Sequence, residues 1–325
     1  VGGARNGWDP WNTGWRIRHL SGEHFDLIHA FDCRPAVIGP ALAQQRSTGA
    51  PLFIDWADWW GRGGTIVERS GWAVRTFFGP VETWFEEAFR TRAAANTTIS
   101  EALRDRCVAL GVDVQRTRVL PNGCLPPVEV PGGRTAARTR CGIGDEPLIV
   151  HLGTVHRGDA AMLFDALRVV RHAQPGVTVA FLGHFSVPVP ADLADNVRLT
   201  GYVHDADLQD WLAAADTAVI PLRDTVANRA RWPGKVNEYL SAALPVVMTR
   251  VGAAAQVVAD AGAGVACSAN AAALAEALIN LLQDPDSRAR MADAARGLAA
   301  GELAWERIGS ELAGFYARWG GAGEA

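Results

Sequence analysis

Lysine is all but missing from this chain: Lys235 is the single one among 31 basic residues, the rest being arginine. Cysteine is scarce as well. Cys33, Cys107, Cys124, Cys141 and Cys267 are odd in number, widely spaced and without a C-x-x-C pair. That pattern excludes a disulfide framework and a cysteine zinc site, and it fits thiols kept reduced in a cytoplasm. No apolar run approaches the roughly 18 residues of a membrane span. The opening Val1-Gly2-Gly3-Ala4-Arg5-Asn6-Gly7 carries no apolar signal core. A basic excess is lacking too: the formal net charge is −4, which speaks against a nucleic-acid partner.

What is present is the composition of a soluble globular protein, with 49% apolar and 20% charged residues over 325 positions. That length is enough for two domains with their own cores. The lone lysine marks a place to look. Arginine offers a planar fork, whereas lysine offers a compact point charge on a thin stem, the better fit to a narrow site beside a phosphate. A surface lysine without function is the competing interpretation. Glu238, three residues on, weighs against it. Positions i and i+3 share a helix face, so ammonium and carboxylate would meet a ligand that has both an anion and hydroxyls.

From residue 147 the pattern alternates regularly. Apolar runs at 148–152, 177–182, 197–200, 218–222, 245–248 and 264–267 predict buried parallel strands. Helical stretches at 160–172, 205–214, 234–243, 253–259 and 271–282 lie between them, which predicts a doubly wound α/β domain. Gly153, Gly183 and Gly201 each follow a strand, where such sheets open their ligand crevice. The first half has the same grammar with four candidate strands, at 25–30, 52–54, 96–99 and 118–120. A long helix is expected at 72–92, broken near Gly79-Pro80. Pro126-Pro127-Val128-Glu129-Val130-Pro131-Gly132-Gly133-Arg134 reads as a joint. The apolar periodicity of 304–319 predicts a final helix docked across both domains.

Taken in order, the motifs resemble those of the GT-B retaining glycosyltransferases, the glycosyl transferase group 1 family. Pro233-x-Lys235-x-x-Glu238-Tyr239 followed by Pro245-Val246-Val247 is similar to the family's P-x-K-x-x-E-Y…P-V-V signature. Asp26-Leu27-Ile28-His29 is similar to its D-v-v-H strand, and Pro121-Asn122-Gly123 to its P-N-G. Leu152-Gly153-Thr154-Val155-His156-Arg157-Gly158 resembles L-G-x-x-x-x-K-G. Gly201-Tyr202-Val203 and Ala215-Asp216…Pro221 also fall in place. The resemblance implies an α/β GT-B fold, two Rossmann-like doubly wound domains facing a cleft. The acceptor-side domain would span 1–128 and be joined by the helix 304–319. A linker would run over 129–143, and the nucleotide-sugar domain over 144–303.

The same resemblance implies transfer of a sugar from a nucleotide-diphosphate sugar, a UDP-sugar first of all, to an acceptor hydroxyl with retention at the anomeric carbon. The chain would need no cofactor and no metal, having no D-x-D motif. Arg157, Lys235, Glu238 and Asp58 would be the catalytic set. Gly153, Thr154, Arg157, Gly183, Tyr202, Val203, Lys235, Val236 and Glu238 would bind the donor. Arg157 and Lys235 would neutralise the diphosphate, Glu238 would accept from the ribose hydroxyls, and Tyr202-Val203 would lie against the base.

The chain also departs from the family pattern. Ala230 stands where a first carboxylate is common, eight positions before Glu238. Thr154 replaces a basic residue, Leu244 replaces a glycine, and Ala57 stands near a usual histidine, for which Asp58 is the candidate substitute. The strand, glycine loop, helix and two strands that usually precede the D-v-v-H segment are not seen ahead of Phe25. The N-terminal domain is therefore expected to be incomplete, with a missing segment or a partner chain supplying the rest.

Eight of the twelve tryptophans lie in the first 84 residues. Most are expected in core or interface. Trp59 and Trp60, beside Gly61-Arg62-Gly63-Gly64, are candidates to stack on the acceptor, and Arg229 and Arg231 are candidates to reach an anionic one. His29 reads as a structural strand-end histidine. Among His151, His156, His184 and His204 only His156, beside Arg157, is expected to line the cleft. Two rivals to a transferase remain: a GT-B sugar-nucleotide epimerase, and a degenerate subunit that binds nucleotide sugar without chemistry.

Overall fold

In the computed structural model, which describes residues 7–69 and 71–321, the chain forms two compact units. One is built on the residues up to Pro121 with Arg229–Trp232 and the chain from Ile308; the other holds Asn122–Asn228 and Pro233–Arg307. In chain order the first unit has α1 (Pro10–His19), β1 (Ile28–Phe31), α2 (Pro35–Thr48), β2 (Leu52–Trp56), α3 (Gly79–Glu87), β3 (Ala95–Thr98), α4 (Glu101–Ala109) and β4 (Thr117–Val119). Its strands are parallel in the order β1-β2-β3-β4. α1 starts where it does because the Asp9 carboxylate accepts from Trp11 N at 2.9 Å and Asn12 N at 3.3 Å, with Pro10 in the first turn.

The helix expected over 72–92 is shorter and of mixed form. A π-turn over Val74–Phe78 runs into α3, and a separate 3₁₀ turn covers Arg90–Arg92. Pro80 lacks the N–H that an α-turn would return to the carbonyl of Thr76, and the wider turn sits just before it.

The second unit continues with α5 (Gly133–Arg140), β5 (Leu148–Leu152), α6 (Arg157–Ala173), β6 (Thr178–Leu182), β7 (Val197–Gly201), α7 (Asp205–Ala214), β8 (Thr217–Ile220) and α8 (Val226–Ala230). Then come α9 (Lys235–Ser241), β9 (Val246–Thr249), α10 (Ala253–Asp260), β10 (Gly264–Cys267), α11 (Ala271–Gln283), α12 (Pro285–Ala300) and α13 (Trp305–Trp319), which from Ile308 on belongs to the first unit. Six parallel strands lie in the order β10-β9-β8-β5-β6-β7. This is the doubly wound arrangement, with its direction reversing between β5 and β8. Ile149, Val179, Phe181, Val219 and Val247 are fully or almost fully buried on one face, against Leu163 and Leu167 of α6 and Leu274 and Leu278 of α11. Each such side chain contributes about 1.5–3 kcal/mol by leaving water. Side-chain caps set the starts of α11 and α12, from Asn270 to Ala273 N and from Asp284 to Ser287 N, both at 2.9 Å.

The stretch 129–143, read from the sequence as a linker, contains α5. Arg138 donates to the carbonyls of Gly144 and Ala214, both at 2.8 Å, and Arg134 to Asp216 at 2.9 Å. These bonds tie α5 to the second unit. Residues 122–125 belong there too, because Cys124 N donates to Leu303 O at 2.6 Å and Ser241 Oγ to Leu125 O at 2.9 Å. Among the described residues no helix is long and apolar enough to cross a membrane.

In the first unit the second half of α13 packs on the sheet through Phe315 and Tyr316 against Phe53, with ring centroids 5.9 and 5.1 Å apart. A polar chain accompanies that contact. Thr97 Oγ1 donates to Asp55 Oδ1 at 2.5 Å, so it can only accept from His29 Nε2 at 3.2 Å. His29 Nδ1 then accepts from the Tyr316 hydroxyl at 2.6 Å. His29 is a staple between β1 and α13. Burial brings its imidazole down to about 4. The unfolded chain takes up that proton near pH 6.5 and the folded chain does not, so the stability held by neutral His29 is complete above 6.5 and is lost as pH falls towards 4. Its full size is about 3 kcal/mol. Asp55 and Glu86, which burial pushes upward, act in the opposite sense. The measurement is therefore the difference between the parent and His29→Gln in melting temperature from pH 7 to 4.5. The gap between the two is expected to change steadily over that range in favour of the variant; a constant gap would contradict this assignment.

Candidate functional site

β5 ends at Leu152, and Gly153 turns the chain with φ +75°; beside it Gly183, after β6, has φ +107°. Gly153 N donates to Leu182 O at 2.7 Å and Gly183 N to Gly201 O at 2.8 Å. A Cβ on Gly183 would stand 3.4 Å from Gly153 Cα. The positive φ at both positions is what calls for glycine, since the space beside Gly183 would admit a Cβ in ordinary contact. The turn lies at the carboxyl end of β5, next to the reversal in strand order, where such sheets bind ligands.

Against that turn stands α9. Its Val236, Asn237, Tyr239 and Leu240 are buried, which leaves Lys235 and Glu238 on the half-exposed side, as the three-residue spacing predicts. The Tyr239 hydroxyl accepts from Leu152 N at 2.6 Å, so α9 is fixed to the end of β5. Asn237 Nδ2 donates to Asn122 O at 2.7 Å, and a Cβ on Gly123 would come 2.5 Å from the Trp305 ring. Asn122 thus serves as a brace for α9.

Lys235 Nζ donates to His151 Nε2 at 2.9 Å and to Thr154 O at 3.3 Å. Glu238 is half-buried. Its carboxyl is pushed above the usual carboxylate range, chiefly by burial and further by the Asp205 carboxylate at the start of α7. Arg157 is exposed as the first residue of α6, whose N-terminus adds positive potential. Tyr202, 82% exposed, and half-buried Val203 follow β7, two strands away from β5. One expected residue drops out. Val236 is completely buried and its N–H donates to Pro233 O at 2.9 Å, so it belongs to the packing of α9 and not to a ligand surface.

In the first unit, Asp58, Trp59 and Trp60 follow β2. Glu86, buried on α3, collects this loop: its carboxylate accepts from Trp56 Nε1 at 3.0 Å and from Trp60 N and Gly61 N, both at 2.7 Å. Arg62 N donates to Thr83 Oγ1 at 2.9 Å. Guanidinium groups attend both candidate rings, Arg106 at 4.2 Å from Trp59, and Arg34 at 5.3 Å and Arg69 at 5.8 Å from Trp60. Burial raises the Asp58 carboxyl against the pull of Arg231 and Arg34. Arg231 reaches this unit because the segment Arg229–Trp232 returns to it, where Ser100 Oγ donates to Ala230 O at 2.6 Å. Asp32, just past β1, holds φ +127°, an uncommon conformation for a residue with a side chain, and its carboxylate accepts from Cys33 N at 2.6 Å and Arg34 N at 3.2 Å.

Two groups here carried little signal in the sequence. His151 was not expected to line the cleft. Arg223 was hidden among thirty arginines, yet its guanidinium lies over Gly158 at the start of α6, where a Cβ would come 2.1 Å from its Cζ. The buried Asp159 carboxylate holds it there, accepting from Arg223 N at 2.9 Å and Nε at 3.2 Å. A cue for Arg223 was its place just after the apolar run of β8, where α/β sheets present ligand-facing residues.

Residues 146–284 match the family described as Glycosyl transferases group 1, and residues 1–123 match the one described as Glycosyl transferase 4-like domain. The chain is 31% identical over 314 residues to the GDP-mannose-dependent alpha-(1-6)-phosphatidylinositol monomannoside mannosyltransferase of Mycolicibacterium smegmatis, covering 92% of this chain and 78% of that protein. It is 29% identical to the GDP-mannose-dependent monoacylated alpha-(1-6)-phosphatidylinositol monomannoside mannosyltransferase of Corynebacterium glutamicum, over 62% of this chain and about half, 53%, of that protein's length. Among solved structures, the sucrose-phosphate synthase of Thermosynechococcus elongatus superposes with a TM-score of 0.70 at 19% identity, over 95% of this chain and 77% of that one. That last likeness is one of fold, the GT-B class with Rossmann-like units.

Proposed function

The chain belongs to the glycosyl transferases group 1 family, and from that premise we propose that it transfers mannose from GDP-mannose to an acceptor hydroxyl with retention at the anomeric carbon. The observation that carries this is the pairing on α9: Lys235, bonded to His151 and Thr154 beside the Gly153 turn, with Glu238 on the same face. A diphosphate at that turn would meet Lys235, Arg157 and the α6 N-terminus, and Glu238 would accept from the ribose hydroxyls. Tyr202 and Val203 would lie against the base. Negative charge grows on the leaving phosphate as the glycosidic bond breaks, and fixed cations stabilise it there. The same phosphate would take the acceptor's proton on the face that the sugar leaves, which gives retention without a metal or cofactor.

The mannosyl donor and a phosphoinositide-type acceptor are suggested by the names of the two mannosyltransferase relatives; a UDP-sugar is the donor to test second. On the acceptor side the proposal assigns Asp58, Trp59, Trp60, Arg229 and Arg231, with the arginines suited to an anionic acceptor. The proposal places the reaction in the cytoplasm, in keeping with five scattered cysteines that form no disulfide pattern.

Melting temperature measured with UDP, GDP, dTDP and ADP tests the donor, because a ligand bound by the folded state raises it. GDP is expected to give the largest rise. Transfer of labelled mannose from GDP-mannose to a lipid extract, with and without EDTA, tests the reaction. No shift with any of the four nucleotides would remove the proposal, and activity lost to EDTA and restored by magnesium would remove its metal-independent part. Glu238→Gln is expected to weaken binding of the preferred nucleotide by about 1 kcal/mol, since the amide has lost one acceptor oxygen, while the melting temperature without ligand stays near the parent's. Calorimetry reads this, and unchanged affinity would take Glu238 out of the ribose site.

A further inference from the structure

His151 is the fourth residue of β5, 1% exposed, with its ring 5.9 Å from that of Phe181. A histidine buried in a parallel sheet needs a partner for each ring nitrogen. The strand register supplies the first: β5 pairs with β8 through Val150 and Ala218, and one step on the Val219 carbonyl lies 2.8 Å from His151 Nδ1. A carbonyl only accepts, so Nδ1 carries the proton and Nε2 carries the lone pair. An ammonium only donates, so the 2.9 Å contact from Lys235 Nζ ends on that lone pair. Burial and the neighbouring ammonium both hold the imidazole well below its usual range, which keeps it in this neutral form.

We propose that His151 is a positioning residue for Lys235: its tautomer, fixed by the Val219 carbonyl, holds the ammonium beside the Gly153 turn so that a donor diphosphate meets a charge already oriented. The proposal rests on Lys235 being a diphosphate ligand. With one proton on His151 and a second on the Thr154 carbonyl, the direction of the ammonium is set. The choice of partner matters as much as the geometry. A carboxylate in the place of His151 would hold the lysine equally well but would cancel the charge that the phosphate needs. A neutral imidazole orients the ammonium and adds no opposing charge of its own. The Nδ1 contact to Val219 spans β5 and β8, the two strands at which the sheet reverses, so the framework of the fold orients the imidazole that holds the cation.

The test is a double-mutant cycle read by calorimetry with GDP or UDP, whichever binds the parent more tightly, and with the matching nucleoside, guanosine or uridine. The variants are Lys235→Ala, His151→Phe, His151→Gln and the double Lys235→Ala/His151→Phe, with melting temperatures recorded for each. Lys235→Ala and His151→Phe are each expected to weaken the diphosphate about tenfold and to leave the nucleoside unchanged. His151→Gln, whose amide can accept from Nζ and donate to Val219, is expected to restore most of the loss. In the Lys235→Ala background, His151→Phe is expected to cost less than about twofold further. The proposal is overturned if His151→Phe weakens the diphosphate equally in both backgrounds, if it weakens the nucleoside as much, or if glutamine does no better than phenylalanine. If Lys235→Ala itself leaves diphosphate affinity unchanged, the assignment of Lys235 is what has failed.

Discussion

Replacing Lys235 by arginine is expected to cost nearly as much turnover as replacing it by alanine. The ammonium fits between two acceptors, His151 Nε2 at 2.9 Å and the Thr154 carbonyl at 3.3 Å, on a helix locked to the end of β5 through Tyr239. His151 is buried and presents a single lone pair. A guanidinium is wider, and its donors are held in a plane that does not match one nitrogen on β5 and one carbonyl in the loop just after it. It would have to leave that seat, and the positive charge would leave with it. Loss of a charge-assisted bond in a partly desolvated site amounts to about 1.5–3 kcal/mol, or roughly tenfold to a hundredfold in kcat/KM. Steady-state assays of Lys235→Arg and Lys235→Ala with the preferred donor sugar nucleotide give the comparison. An arginine variant with most of the parent activity would show that only charge matters at this position, and the singularity of the lysine would lose its meaning.

The second large effect is expected at Glu86, in the unit that carries Trp59 and Trp60. Its carboxylate satisfies Trp56 Nε1, Trp60 N and Gly61 N at 2.7–3.0 Å, and Arg90 stacks over the Trp56 ring at 3.8 Å with its Nε on the Glu86 carbonyl at 2.7 Å. Glu86→Ala would leave three donors in the interior without an acceptor and Arg90 without its neighbouring negative charge. Each buried donor so abandoned costs about 1–3 kcal/mol, and water entering the space recovers part of it, so a net loss of about 3–5 kcal/mol is expected. Glu86→Gln retains one acceptor oxygen and should fall between. Tryptophan emission followed through denaturation is a direct readout, because eight of the twelve tryptophans lie in the first 84 residues. A midpoint within experimental error of the parent's would mean that the loop carries itself without Glu86.

Much of this protein was legible from one-dimensional pattern. The apolar runs of the second half became β5 to β10 within a residue or two, because the inner strands β5, β6, β8 and β9 are buried on both faces and must be apolar almost throughout. The i,i+3 spacing of Lys235 and Glu238 correctly placed them on one side of α9, since helix geometry is local. Val236 was misjudged for the same local reason: a motif names consecutive residues, but only burial against the sheet tells which of them faces inward.

What sequence could not decide were matters of register and return. That the Val219 carbonyl stands opposite His151, that Arg223 comes to rest on Gly158, and that Glu86 closes on a loop some twenty-five residues earlier all depend on which strand lies beside which. The segment Arg229–Trp232 joins the first unit although it belongs by position to the second half. Composition and spacing act along the chain, where a few residues suffice to choose helix, strand or turn. The protonation and direction of a buried side chain are set by whatever acceptor the packed sheet brings within 3 Å, and that partner is chosen only when the strands are in place.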